Sequence, residues 1–332
     1  MLAYIGKRLM QLIPLWIAIT ILIFVVIQLP KGDYITLHIE NLRQSGSEID
    51  EAQAEMLRKQ YNLDKPLYHQ YFIWMRGIVT KGYLGESFVQ KRSVNEILGE
   101  RITMTIILSI VTLLFTWIVS IPIGIYSATH QYSKADYFFT MVGFIGISVP
   151  AFLVAIIIIY RYFIITGIAY SGLFSPDYIN QPWDINKFRD LLSRIWLPVV
   201  VIGLTGTAGM IRTVRGLMLD ELNKQYVITA RAKGLSEWKM LLKYPIRVAM
   251  NPIISTIGWI LPGIFAGEAL VSIVLNLQTI GPIALSALQV QDMYLAASYL
   301  LIASTLTIVG TLISDVLLVV IDPRIKFGAV TD

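Results

Sequence analysis

The chain has 332 residues, 55% of them hydrophobic and 15% charged, with a net charge of +5 and no cysteine. Its mean hydropathy of +0.65 is an integral-membrane composition and outweighs the two soluble domains that length alone suggests. Disulfides, thiolate metal sites and cysteine nucleophiles are excluded, and the positive balance of such a chain bears on orientation, not on a nucleic-acid partner.

In chain order, Lys7 and Arg8 precede an apolar run that reaches Leu29. A positive start before an apolar stretch also suits a signal peptide, but this run is about 20 residues long, enough to span, and has no small-x-small cleavage site. Residues 1–30 are therefore expected to form a first transmembrane helix with a cytoplasmic N-terminus. Residues 31–99 change to a charged, aromatic composition with Gly and Pro. They read as an extracytoplasmic segment containing a surface helix over Glu48–Tyr61, acidic first and basic last.

Residues 100–322 carry five further apolar runs, roughly Ile102–Ala128, Ala135–Thr166, Ile195–Met218, Pro252–Leu275 and Leu295–Ile321. Each can cross about 30 Å of hydrocarbon at roughly 1.5 Å per residue. Six crossings return the tail, 323–332, to the cytoplasm. The assigned inner side is rich in Lys and Arg, as orientation requires. The outer loop Phe174–Arg194 also carries Lys187, Arg189 and Arg194, beside Asp177, Asp184 and Asp190. The expected fold class is all-α integral membrane, with six transmembrane helices, a cytoplasmic coupling helix and an extracytoplasmic insertion after the first helix.

Between the fourth and fifth runs lies a basic island, residues 220–250. Val227, Ala230, Gly234, Leu235, Trp238, Leu241 and Leu242 recur at helical spacing. Gly234 interrupts the pattern as a C-terminal cap would, Ser236 suits an N-cap, and Glu237 suits the positive start of a new helix. Two short amphipathic helices meeting at Gly234 are expected. A plain connection needs only a few residues, so this one is expected to dock on something. The alternative is a cytoplasmic loop whose charge merely sets topology.

The run Tyr226-Val-x-Thr-Ala-Arg-Ala-Lys-Gly-Leu-Ser236 resembles the signature loop of ABC-importer permeases, E-A-A-x-x-x-G, in the form found in the dipeptide/oligopeptide/nickel permease family. Ile228 and Thr229 stand where that consensus has Glu and Ala. Similar fragments run end to end: Tyr61-Asn-Leu-Asp-Lys-Pro66, Gly82-Tyr-Leu-Gly85-Glu-Ser87, Ile121-Pro122-Ile-Gly124, Ser148-Val-Pro150, Arg212-Thr-Val-Arg215 and Asp322-Pro323-Arg324. The resemblance implies the transmembrane domain of a type I importer in a prokaryotic plasma membrane. It also implies a second homologous permease, two cytoplasmic ABC ATPases and an extracytoplasmic solute-binding protein as partners. ATP and Mg would be bound by the ATPases and no cofactor by this chain. Thr229, Ala230, Arg231, Ala232, Lys233, Gly234, Leu235, Glu237, Trp238 and Leu241 would couple to the ATPase, gripped through Trp238, Leu235 and Leu241. A side chain at Gly234 would block the turn.

Candidates for the substrate path are Ser148, Pro150, Gly206, Glu268 and Ser272. Glu268 draws notice because an ionised carboxylate inside a span costs a few kcal/mol. For the glycines Gly143, Gly146, Gly203 and Gly206, close helix packing is the competing reading. Departures from the family pattern at Tyr83, Ser272, Leu275, Thr279 and Gln291 leave the solute open between oligopeptide and oligosaccharide, for which Trp74, Trp183 and Tyr178 would offer platforms and Asn180 and Gln181 neutral hydrogen-bonding groups. A different class, an ion-coupled secondary transporter, lacks the internal repeat and the buried carboxylate or histidine cluster that would favour it. An enzyme lacks a constellation: His38, His69 and His130 are scattered, and there is no Walker-type loop.

Overall fold

The computed structural model describes residues 2–30, 34–37, 39, 51–257 and 269–321. Among them the ordered elements are helices, and the one extended pairing is the isolated antiparallel bridge between Glu86 and Ser93. Four helices contain stretches long and apolar enough to span a membrane: Met10–Ile27, Val94–Thr129, Ile185–Leu222 and Met293–Leu318. Large apolar side chains such as Ile13, Leu22, Ile118, Leu114 and Val309 point outward from them. That is costly in water and expected against lipid tails.

The third expected span, Ala135–Thr166, is not one helix. Lys134–Ser148 and Ala151–Thr166 are separate, with a bend of 99° between them. Proline explains it. Pro150 has no N–H to continue the ladder, and its ring pushes the preceding Val149 to extended backbone at φ −97°, ψ 124°. Residues 258–268 of the fifth expected span, Glu268 among them, lie outside the described residues; Pro252 sits inside the helix Pro245–Ser255. Two further helices went unread in the sequence, Leu67–Lys81 and the short apolar Ile280–Gln289.

The chain divides into two compact units, Met1–Thr105 with Thr279–Leu306, and Ile106–Gln278 with Thr307–Asp332. In the first, Phe24, Trp74, Phe88, Val94, Ile97 and Ala296 are among the side chains forming the core. The surface helix expected near 48–61 is present over Glu51–Gln60, with Arg58 and Lys59 in its last turn. Asp292 is fully buried just before the last long helix. Its carboxylate accepts from Ser87 Oγ at 2.5 Å and from the Val89 amide at 3.3 Å, tying the 86–93 turn to the helix start.

In the second unit the helix Ile185–Leu222 packs against Lys134–Ser148. A Cβ at Gly146 would come within 3.3 Å of Ala208 Cβ, and one at Gly203 within 2.9 Å of Phe115. These glycines let helices approach closely, as small residues do in membranes. Arg215 closes the same interface with two bonds of 2.9 Å to Asp136. Asp136 is 3% exposed and also accepts the Tyr132 amide at 3.1 Å.

Four charges of the 174–194 stretch, Asp184, Lys187, Asp190 and Arg194, are engaged within it. Lys187 is buried, donates from Nζ to the carbonyls of Gln181 and Ile179 at 2.5 and 3.2 Å, and lies 5.0 Å from the Phe174 ring and 5.5 Å from the Trp183 ring. Asp184 caps the following helix by accepting the Lys187 amide at 2.7 Å. Trp183 thus has Lys187 near its ring while remaining 55% exposed. Replacing Lys187 by methionine should loosen residues 174–184 by about 1–2 kcal/mol, the loss of a desolvated cation–π contact and charged hydrogen bonds. Hydrogen exchange should quicken there and stay unchanged in the Ile185–Leu222 helix.

Candidate functional site

The basic island folds into two short helices, Gln225–Ala232 and Glu237–Lys243, as its periodicity predicts. Their junction is a Schellman turn. The Gly234 amide donates to the Arg231 carbonyl at 3.0 Å and the Leu235 amide to the Ala230 carbonyl at 3.3 Å, with Gly234 at φ +76°. The space a Cβ would enter at Gly234 is empty, so a side chain does not collide with this chain. The need for glycine is conformational: the turn takes positive φ, where a side chain is strained whatever the space. Ser236 occupies the N-cap position with extended backbone, but its side chain makes no capping bond. Across the turn, Arg231 Nε and Nη2 donate to Glu237 Oε1 and Oε2 at 2.7 and 3.2 Å, a two-pronged lock between the helices. Glu237 thereby holds Arg231 further into its charged state. Tyr226 donates its hydroxyl to Glu221; burial first, then that carboxylate, raise the phenol above its usual range.

The hairpin is two-faced. Val227, Ala230, Met240 and Leu241 are buried in a cluster with Ala128, Val214, Met218 and Ile253. Trp238 is 73% exposed and Leu242 63%. Leu241, expected on the gripping face, is 7% exposed and belongs to the chain's own core, and Leu235 is half-buried beside it. Met240, missed in the sequence, is fully buried. Thr229, Arg231, Ala232, Lys233 and Glu237 remain outward. A groove of about 850 Å³ runs along the hairpin, lined among others by Tyr126, His130, Leu219, Arg231, Trp238 and Leu242.

Four of the expected path residues fall within the described residues, in different settings. Ser148 and Pro150 are exposed at the bend, and the Ser148 hydroxyl is spent on the Phe144 carbonyl at 2.8 Å. Gly206 faces Thr116, at 3.7 Å from an added Cβ. Ser272 is fully buried, and Glu268 lies outside the described residues. The buried Ser109, Thr112 and Thr207 hydroxyls have no hydrogen-bond partner, and Thr112 lies against Gly203; these buried hydroxyls were not read in the sequence, where Ser109, Thr112 and Thr116 at helical spacing were the available signal. No group of His, Cys, Asp and Glu able to hold a metal occurs among the described residues.

The sequence matches the family described as "Binding-protein-dependent transport system inner membrane component" over residues 120–327, and its N-terminal counterpart over residues 1–109. The chain belongs to that family. It is the permease subunit of an ATP-binding-cassette importer, a multi-pass protein of a prokaryotic inner membrane. It is 33% identical over 328 residues to the oligopeptide transport system permease protein AppB of Bacillus subtilis, covering 98% of this chain and 100% of that one. The oligopeptide permease OppB of Haemophilus influenzae is 28% identical with the same coverage. The glutathione permease GsiC of Escherichia coli K12 is 29% identical, covering 98% of this permease and 100% of its own length. The oligosaccharide expectation finds no support among these relatives.

Proposed function

We propose that this permease forms half of the translocation path for an oligopeptide. It pairs with a second, homologous permease, receives solute from an extracytoplasmic binding protein, and is driven by two cytoplasmic ATPases that bind ATP and Mg. It supplies shape and mechanical coupling and catalyses nothing. The solute class follows the names of its relatives, for oligopeptides and glutathione. The observation that carries the coupling role is the two-faced hairpin. One face is anchored in the permease core, so the hairpin moves with the bundle, while Trp238 and Leu242 are left bare beside the exposed Arg231–Glu237 pair. An exposed Trp on a pre-organised support is the anchor type that dominates interface energetics. ATP-driven closure of the ATPases would draw the hairpins of the two permeases together and open the helices toward the delivered solute.

In this arrangement both chain ends and the hairpin are cytoplasmic, six crossings are completed by the segment around 252–275, and residues 31–99 lie outside. In the cysteine-free chain, a Cys replacing Ser236 should react with an impermeant maleimide only from the inner face, and one replacing Ser47 only from the outer face. The reverse pattern overturns the orientation. Reconstituted alone in liposomes, the permease should accumulate no peptide; accumulation without ATPases would favour an ion-coupled carrier instead. Replacing Trp238 by alanine should weaken ATPase binding about tenfold or more, as loss of a hot-spot aromatic does, measured by co-purification and titration.

A further inference from the structure

The first unit holds a second concavity, of about 190 Å³, unrelated to the hairpin. Four aromatic residues, Tyr61, Trp74, Tyr83 and Tyr294, line it beside Gln60, Asn62 and Ile73, with Glu86 as its carboxylate. Tyr61, Trp74 and Tyr294 are buried at 9%, 2% and 8% exposure, whereas Tyr83 and Glu86 are open to solvent. No ion pair neutralises Glu86 among the described residues.

The pocket is built and held from several sides. The Trp74 indole donates to the Leu84 carbonyl at 3.0 Å, which spends its polar edge and leaves its ring as wall. Asn95 pins the 82–84 segment, accepting the Leu84 amide at 2.8 Å and donating to the Gly82 carbonyl at 2.7 Å. Phe88 backs both flanking tyrosines, with ring centroids 4.6 Å from Tyr61 and 5.4 Å from Tyr294. Gly85, at φ +109°, lets the Tyr294 ring approach to where a Cβ would lie 2.8 Å from it. The Asp292–Ser87 bond fixes the turn that carries Glu86.

Aromatic faces present negative quadrupole potential, and one unpaired carboxylate adds a full negative charge. A neutral apolar ligand gains nothing from Glu86, and an anion is repelled by it. We propose that this pocket binds an organic cation, a primary ammonium or a guanidinium, with its charge against Glu86 and its alkyl stem among the four rings. The same chemistry is offered by the free amino terminus of a small peptide solute and by a lysine or arginine side chain of a docking protein. The proposal does not depend on which solute the path carries.

Saturation-transfer NMR on the purified full-length permease in detergent tests it, with n-butylammonium, n-butylguanidinium and neutral n-pentanol as probes. The cations should bind saturably, more weakly as salt rises, and n-pentanol at least about tenfold more weakly. Glu86→Gln, isosteric and exposed, should weaken cation binding about tenfold. Tyr83→Ala should do likewise, while Tyr83→Phe keeps it. An unchanged melting temperature in Glu86→Gln separates lost recognition from lost folding. Competition by alanyl-alaninamide but not by acetyl-Ala-Lys-Ala-amide assigns the solute terminus; the opposite order assigns a protein side chain. Absence of saturable cation binding by the wild type, equal binding of n-pentanol, or indifference to Glu86→Gln overturns the proposal.

Discussion

Replacing Gly234 by aspartate should leave the permease in the membrane and abolish ATP-driven uptake. The structure separates the two effects. Gly234 is exposed at φ +76° with nothing near the space a Cβ would fill, so the substitution meets no atom of its own chain. Its intrinsic cost is the left-handed backbone, roughly 1–2 kcal/mol for most residues, and Asp tolerates that region better than most. The core face of the hairpin, Val227, Ala230, Met240 and Leu241, is untouched. What changes is a new charged side chain at the tip offered to the ATPase. Insertion, read by membrane fractionation, should match the wild type, and melting should fall by only a few degrees. Uptake in vesicles with binding protein and ATPases should disappear. Wild-type uptake by the variant would refute the coupling role; loss of insertion would instead mean that the turn is needed for folding.

Replacing Asp136 by alanine should destabilise the second unit by about 3 kcal/mol, the lower end of the cost of orphaning one partner of a buried ion pair. Arg215 would lose both of its 2.9 Å bonds, and Tyr132 the acceptor for its amide. Arg215 keeps part of its guanidinium in solvent, its side chain being 28% exposed, which holds the cost below the extreme. Asp136→Leu with Arg215→Met should cost less than Asp136→Leu alone, since no uncompensated charge remains. Thermal melts of the four corners of the cycle, in one detergent, measure the coupling. Additive single effects would show that the pair contributes no coupling.

Much of this protein was legible from one-dimensional patterns. Apolar runs of spanning length gave the long helices, because a backbone in lipid must satisfy its own hydrogen bonds and a helix does so locally. The hairpin was legible for the same reason: helical spacing on either side of a glycine that can adopt positive φ is a matter of neighbours in sequence. The resemblance around Tyr226–Ser236 pointed to the family that the full-length comparisons established.

What went unread depends on residues far apart in the chain. Nothing local says whether Leu241 or Trp238 turns inward; the choice is made by Met218 and Ile253, which cover one and not the other. Pro150 was visible, but that it divides the run into two helices at 99° and does not merely kink it shows only in the structure. The partner of Arg215 lies 79 residues away, and the aromatic pocket gathers Tyr61, Trp74, Tyr83 and Tyr294 from separate stretches. Helix and turn follow from short-range sterics and hydrogen bonding, which the sequence by itself determines; which face is buried, which charges are paired and which rings meet follow from long-range contacts, which only the tertiary structure decides.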